Sequence, residues 1–266
     1  MNQAPAAYSL RCNSQEVALL GRRMGARTLL GLPDAELDQA WLSLAQLDEL
    51  EAKLERRSCL VNHAGRLRVS PNLVPLLGPM MNPTACLGQG YLDCDSARHL
   101  VYYWQPPHLV SMQRLNHEDW RIERLSQMTD SWQSLAAFWR TPGAGECQHQ
   151  RVLLPQQVFD LAKSCLDNHQ SEEFVKQLGV WRTPPEVAEA LADTLLDPLA
   201  QASLCAFERV SDGWALEGYS FLRGSQGWWR TRACQRSKEP WIEISEVGAE
   251  DAGERASSLL KRMLRL

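Results

Sequence analysis

Three short stretches of this chain hold side chains that could do chemistry. Cys94-Asp95 lies close in sequence to His99, offering a thiol, a carboxylate and an imidazole on neighbouring extended segments. That is the set a nucleophilic cysteine needs when an imidazole takes its proton. The plainer reading is a buried thiol beside a turn aspartate. His117-Glu118-Asp119 puts three titratable groups in a row, enough for acid–base work or a metal. Consecutive turn residues point apart, however, and no second cluster completes a site, so a solvated turn is expected. Ser258-Leu259-Leu260-Lys261 matches the S-x-x-K of penicillin-binding enzymes. Its companion motifs are missing, and its two leucines belong to an apolar helical stripe.

No further motif supports catalysis. Gly88-Gln89-Gly90 is a G-x-G without the third glycine of a dinucleotide site. The chain has no phosphate-binding G-x-x-x-x-G-K-S/T, no G-x-S-x-G and no H-E-x-x-H. Its eight cysteines are scattered, with no C-x-x-C and no zinc spacing to a histidine pair. They read as reduced thiols acting as small hydrophobes. The chain is therefore expected to bind another protein, without enzymatic activity, cofactor or metal.

Charge and hydropathy narrow the partner. A net charge of −4 and a pI near 5.9 give no pull toward phosphate backbones. No stretch approaches the roughly 18 apolar residues of a membrane span, and the first ten residues lack a basic and then apolar signal pattern. A cytoplasmic protein is expected. A second reading is a winged-helix regulator built on residues 34–81, with Arg22, Arg23, Arg56, Arg57, Arg66 and Arg68 on phosphates. Against it, residues 1–140 carry 14 basic and 14 acidic side chains.

The elements that must position any site follow from periodicity. Residues 14–25 read as a helix. Asp34 caps a longer one, whose stripe runs through Leu37, Trp41, Leu44, Leu47, Leu50 and Leu54. A hairpin turns at Asn62 to Gly65, and Ser70-Pro71 opens a helix striped by Leu73, Leu76, Leu77, Met80 and Met81. Strands are expected at 100–104, 109–112 and 120–125, broken at Pro106-Pro107, then a helix from Thr129 to Trp139. Thr141 to Gln150 reads as a linker. Beyond it come helices striped by Val158, Leu161, Ala162, Cys165 and Leu166, then at 171–178 and after Thr183-Pro184. Strands follow at 203–209, 214–222, 227–233 and 241–245, and a last helix carries Ala252, Ala256, Leu259, Leu260, Met263 and Leu264.

The two halves share punctuation. Ser70-Pro71 through Asn82-Pro83 corresponds to Thr183-Pro184 through Asp197-Pro198, and Trp120 to Glu123 corresponds to Trp241 to Ile244. The expected fold is α+β, with similar lobes at 1–140 and 151–266 and a linker at 141–150. Their antiparallel meanders would join in one central sheet around a pseudo-twofold axis. Of the ten tryptophans, Trp41, Trp104, Trp132, Trp139 and Trp214 fall on apolar stripes and read as core. Trp228-Trp229 differ, because adjacent strand residues face opposite ways and one of the pair could meet a partner.

The order of these elements resembles the EspG-type chaperones of type VII (ESX) secretion. The similarity lies in the opening helix Ser14 to Gly25 before Leu32-Pro33, and in Leu54 to Met81. It continues in Phe174 to Val180 followed by Thr183-Pro184, and in Trp241 to Ser245 feeding the last helix. The resemblance implies a cytosolic chaperone that holds a helical secretion substrate through sheet loops and its C-terminal helical bundle. The corresponding loops here are Gln105, Pro106, Pro107 and His108, and the turn from Gly224 to Trp228, next to Trp229. The many cysteines and glutamines depart from the mycobacterial members.

Overall fold

The computed structural model describes residues 9–26, 29, 43–116, 118–125, 135, 138–139, 150–236 and 238–265. The expected cap at Asp34, the start of its helix, Leu32-Pro33, His117, most of 129–139 and nearly all of the expected linker lie outside them.

Strand β1 (Ser9–Asn13) runs directly into α1 (Ser14–Arg23). Asn13 marks the change, because its side chain accepts the Glu16 N–H while the Glu16 carboxylate accepts the Asn13 N–H. Helix α2 (Leu44–Arg56) is capped by Ser43 and Gln46 in the same reciprocal way. A hairpin of β2 (Leu60–His63) and β3 (Arg66–Val69) follows. Its tight turn holds Ala64 and Gly65 at positive φ, which glycine adopts without strain. A 3-10 turn at Pro71–Leu73 leads into α3 (Val74–Met81). Four strands then form a meander: β4 (Ala85–Asp93), β5 (Ala97–Gln105), β6 (His108–Arg114) and β7 (Asp119–Leu125).

The second half follows the same order of strand, three helices and meander, without the β2–β3 hairpin. Strand β8 (Arg151–Pro155) runs straight into α4 (Gln156–Asp167), followed by α5 (Ser171–Val180) and α6 (Pro185–Leu196). The meander is β9 (Ala200–Val210), β10 (Gly213–Arg223), β11 (Trp228–Arg236) and β12 (Glu239–Val247), closed by α7 (Asp251–Leu264). The proline stops are built alike. Asn82 ends α3 at φ −144°, ψ 61°, and Asp197 ends α6 at φ −141°, ψ 72°, each one residue before a proline.

All ten long strands form one antiparallel sheet, ordered β1-β7-β6-β5-β4-β9-β10-β11-β12-β8. Each half supplies five neighbouring strands. The halves meet where β4 pairs β9, with Gln89 opposite Leu204. Alternation along the strands sends side chains to two faces. On one face α1, α2 and α3 cover Cys86, Val101, Tyr103, Val110, Met112 and Ile122, while α4, α5 and α6 cover Val152, Leu154, Trp229 and Ile244. On the other, α7 with Leu135, Phe138 and Trp139 covers the centre of the sheet, including Leu87, Tyr102, Leu204 and Phe221. No helix among the described residues is long and apolar enough to cross a membrane.

Three strands escape the periodicity reading. Strand β4 contains Gly88 and Gly90, the glycines of the incomplete G-x-G, which lower strand propensity. Strands β1 and β8 have five residues each and merge into helices without a break. Three stripe assignments also change. Leu44 is 81%, Leu161 59% and Trp214 41% exposed, so none of them is core.

Glu16 is the buried charge that ties α1 to α2. It accepts from Arg57 at 2.9 Å on both oxygens and from Lys53 at 3.0 Å. Burial alone would raise its carboxyl, but Lys53, the Asn13 N–H and Arg57 outweigh burial and hold it below the ordinary value. A depressed carboxyl contributes stability above its unfolded pKa, and that stability is lost as pH falls through the folded value. Both cations are substantially solvated, so Glu16→Gln should lower unfolding free energy by only about 1–3 kcal/mol at pH 7. The deficit should shrink below pH 4, as urea unfolding at the two pH values would show.

Candidate partner-binding surface

Among the described residues, the helices leave part of one sheet face uncovered. Helix α3 lies over β5 and β6, and α6 reaches only the end of β10. There Gly224 admits the helix, because a Cβ would sit 2.1 Å from Thr194 Oγ1. Between them, among the described residues, an open band crosses β4, β9 and β10 from Leu92, Gln201 and Leu222 to Gly88, Cys205 and Gly218. Beyond it Cys86 is buried and Phe207 half-buried, while β10 stays exposed to Trp214.

Strand β9 displays the alternation. Ala200, Ala202 and Leu204 are buried toward α7, whereas Gln201 and Ser203 on the bare face are exposed and Cys205 and Phe207 are half-buried. The floor of the band is Gly88, Gly90, Ser203, Cys205, Gly218 and Ser220, paired across three strands. Such small side chains let another backbone or helix approach closely. Large apolar groups stand toward the two ends of the floor: Leu92, 52% exposed, at one and Leu216, 65% exposed, with Trp214 at the other. Near Leu92 the band deepens into a trough of about 570 Å³, lined by Gly90, His99, Arg114, Ser203 and Leu222. A solvated sheet face ordinarily carries charge. The six floor residues carry none and leucine is exposed beside them, a surface suited to an apolar partner. Charge stands at its ends, where Arg114 lines the trough and Arg209 stacks on Trp214.

The proposed loop contacts lie apart. The β5–β6 turn holds Pro106 and Pro107 exposed, with Gln105 and His108 half-buried and His108 Nδ1 3.0 Å from Arg124 Nη2. The turn before Trp228 lies at the opposite end of the strands, about 30 Å away at roughly 3.3 Å per residue. Trp228 and Trp229 do face opposite ways, but both are buried, at 6% and 4% exposure, because both faces of β11 are covered. Trp228 lies near Tyr91 beneath α7, and Trp229 lies under α4 to α6. Neither reaches the free surface.

The stretches that could do chemistry are used structurally. Asp93 folds the β4–β5 turn by accepting the N–H groups of Asp95 and Ser96 at 2.9 and 2.7 Å. Cys94 is exposed there rather than buried, and hydrogen bonding to Asp95 raises its thiol pKa. His99 stands edge-on to Trp120, ring centroids 5.3 Å apart. We therefore expect Cys94 to react with iodoacetamide at pH 8 more slowly than glutathione does, although it is exposed. A faster reaction in a thiol-mapping experiment would reinstate a nucleophile. Asp119 is bound to Arg11 and fixes β7 to β1, and Glu118 donates its N–H to Asn116. Ser258 and Lys261 lie exposed on α7, whereas Leu259 and Leu260 are core.

The floor of the band holds no catalytic motif and no aromatic ring. Its signal was present in residues 200–207, Ala-Gln-Ala-Ser-Leu-Cys-Ala-Phe, where the outward positions are all uncharged.

No family model matches the sequence, and no curated protein does. Among solved structures the fold is similar to that of the type VII secretion system chaperone EspG5 of Mycobacterium tuberculosis, determined in complex with a PE25–PPE41 dimer. The TM-score is 0.65 at 15% identity, over 95% of this chain and 96% of that one. The resemblance to the EspG type thus holds at the level of the fold.

Proposed function

We propose that this chain is a non-enzymatic, cytoplasmic chaperone or adaptor that holds the apolar surface of a helical protein client, a secretion substrate, against the open band. The observation that carries the reading is the strip of β4, β9 and β10 left uncovered between the two helical groups among the described residues. Its small-residue floor, Gly88, Gly90, Ser203, Cys205, Gly218 and Ser220, carries no charge. A helix laid along it would place its own apolar residues over Leu92 and Leu216. The exposed turn Gln105–His108 would contact the client at one end of the strands and the Gly224–Gly227 turn at the other. Trp228 and Trp229 would support the latter turn from beneath. The fold shared with EspG5, itself solved with a PE–PPE dimer, supports a helical client pair.

The lobes 1–140 and 151–266 fit a duplication related by a twofold axis through the β4–β9 junction. The repeated element order, the matching ends of α3 and α6 and the antiparallel junction support this. Against the DNA-binding reading, α3 carries no basic residue and buries Leu76, Leu77 and Met80.

Co-expression with helical secretion substrates of the PE–PPE type tests the proposal. The tagged chain should move the client into the soluble fraction and co-purify with it. A client equally soluble without the chain, and never recovered with it, would contradict the reading.

A further inference from the structure

Strands β10 and β11 pair only from Ser220–Thr231 to Arg223–Trp228. Both continue well beyond, β10 back to Gly213 and β11 on to Arg236. On their outer sides each stays paired throughout, β10 with β9 and β11 with β12. The sheet therefore opens into a fork, and the segments 213–219 and 232–236 each present one strand edge with no ladder partner among the described residues. An open strand edge is a template for another extended backbone.

The side chains of the fork define what would fit. On the bare face stand Trp214 and Leu216, continuous with the open band. On the α7 face Arg232 and Arg262 close the fork, with Arg236 further along β11. Arg262 pairs with Glu217 at 2.6 Å, and Arg232 shares Glu243 with Arg151 and Arg230. The fork segments 213–219 and 232–236, with Arg262 beside them, present three arginines against the one carboxylate Glu217. Glu239 lies opposite Arg236 on β12, and Glu208 opposite Ala215 on β9. A strand added to β10 would turn alternate side chains toward Leu216 and the rest toward the arginines.

We propose that the fork between β10 and β11 binds an extended segment of alternating apolar and acidic residues, adding it to β10 as a further strand. The inference rests on the client-holding reading only in assigning that segment to the client; the edge itself is independent of it. The arrangement would let one client be held twice, by a helix on the band and by a strand in the fork.

Amide hydrogen exchange on the full chain tests this, with an alternating Val–Glu octapeptide as the probe. In the free protein the fork-facing amides of Gly213–Glu217 should exchange rapidly, and saturating peptide should slow them about tenfold. A Val–Lys peptide, or the Val–Glu peptide with a central proline, should give no protection. Arg236→Glu should weaken binding of the Val–Glu peptide. Rates unchanged by the peptide would overturn the proposal, as would amides already slow in the free protein. Protection that grows with protein concentration alone would overturn it in favour of a second copy of the chain. Failure to recover a helical client elsewhere would sink the holding function and leave this result standing.

Discussion

Replacing Ser203 with tryptophan should abolish client capture while leaving the protein folded. Ser203 lies exposed in the middle of the open band, beside Gly90, where a Cβ would approach Ser203 Oγ to 2.8 Å. An indole there would stand up from a floor of glycine, serine and cysteine and block any helix lying along it. None of the described residues packs over this position, so stability should change by less than about 0.5 kcal/mol. Binding should weaken by at least about 100-fold, since an obstruction at the centre of an interface displaces every contact around it. Leu216→Asp attacks the same band differently, by placing a charge where an apolar contact is expected, and should cost about tenfold or more. Pull-down yields and thermal melts on the same preparations separate the two effects. Unfolding of Ser203→Trp would mean that the band is covered in the intact protein.

Alanine at Trp228 or Trp229 should behave in the opposite way. Both rings are buried on opposite faces of β11, one under α7 and the other under α4 to α6. Each substitution empties a large volume from a different core and should cost about 3–5 kcal/mol of unfolding free energy. Because the two cores are separated by the sheet, the costs should add to within about 0.5 kcal/mol. If the proteins keep their denaturation midpoints but lose a partner, the rings are surface contacts after all. Urea titrations of the two single variants and the double variant distinguish these results.

The sequence was most legible where one face of an element carries the packing. The last helix is an example: Ala252, Ala256, Leu259, Leu260 and Met263 are read at three- and four-residue steps and all are buried. The proline punctuation after α3 and α6 was also legible, because proline stops a helix locally whatever surrounds it. Strand β4 was not. Its glycines weaken every local strand signal, and it becomes a strand because β5 and β9 supply ladders on both sides. Trp214 shows the converse failure: an aromatic on an alternating stripe reads as core, yet it is 41% exposed and no helix among the described residues covers its part of the face. Alternation tells which side chains share a face, and only the arrangement of helices decides whether that face is buried. That is why Trp228 and Trp229, expected to expose one ring, are both covered. It is also why the band at Ser203 had no motif to announce it.

The central claim is that a helical client lies on the bare strip of the sheet. A photo-crosslinking amino acid placed at Ser203, during co-expression with helical secretion substrates, tests it most directly. The account predicts a covalent adduct to a client helix from position 203 and none from Glu254 on the exposed side of α7. Adducts from Glu254 with none from Ser203 would place the client on the other side of the molecule and contradict it.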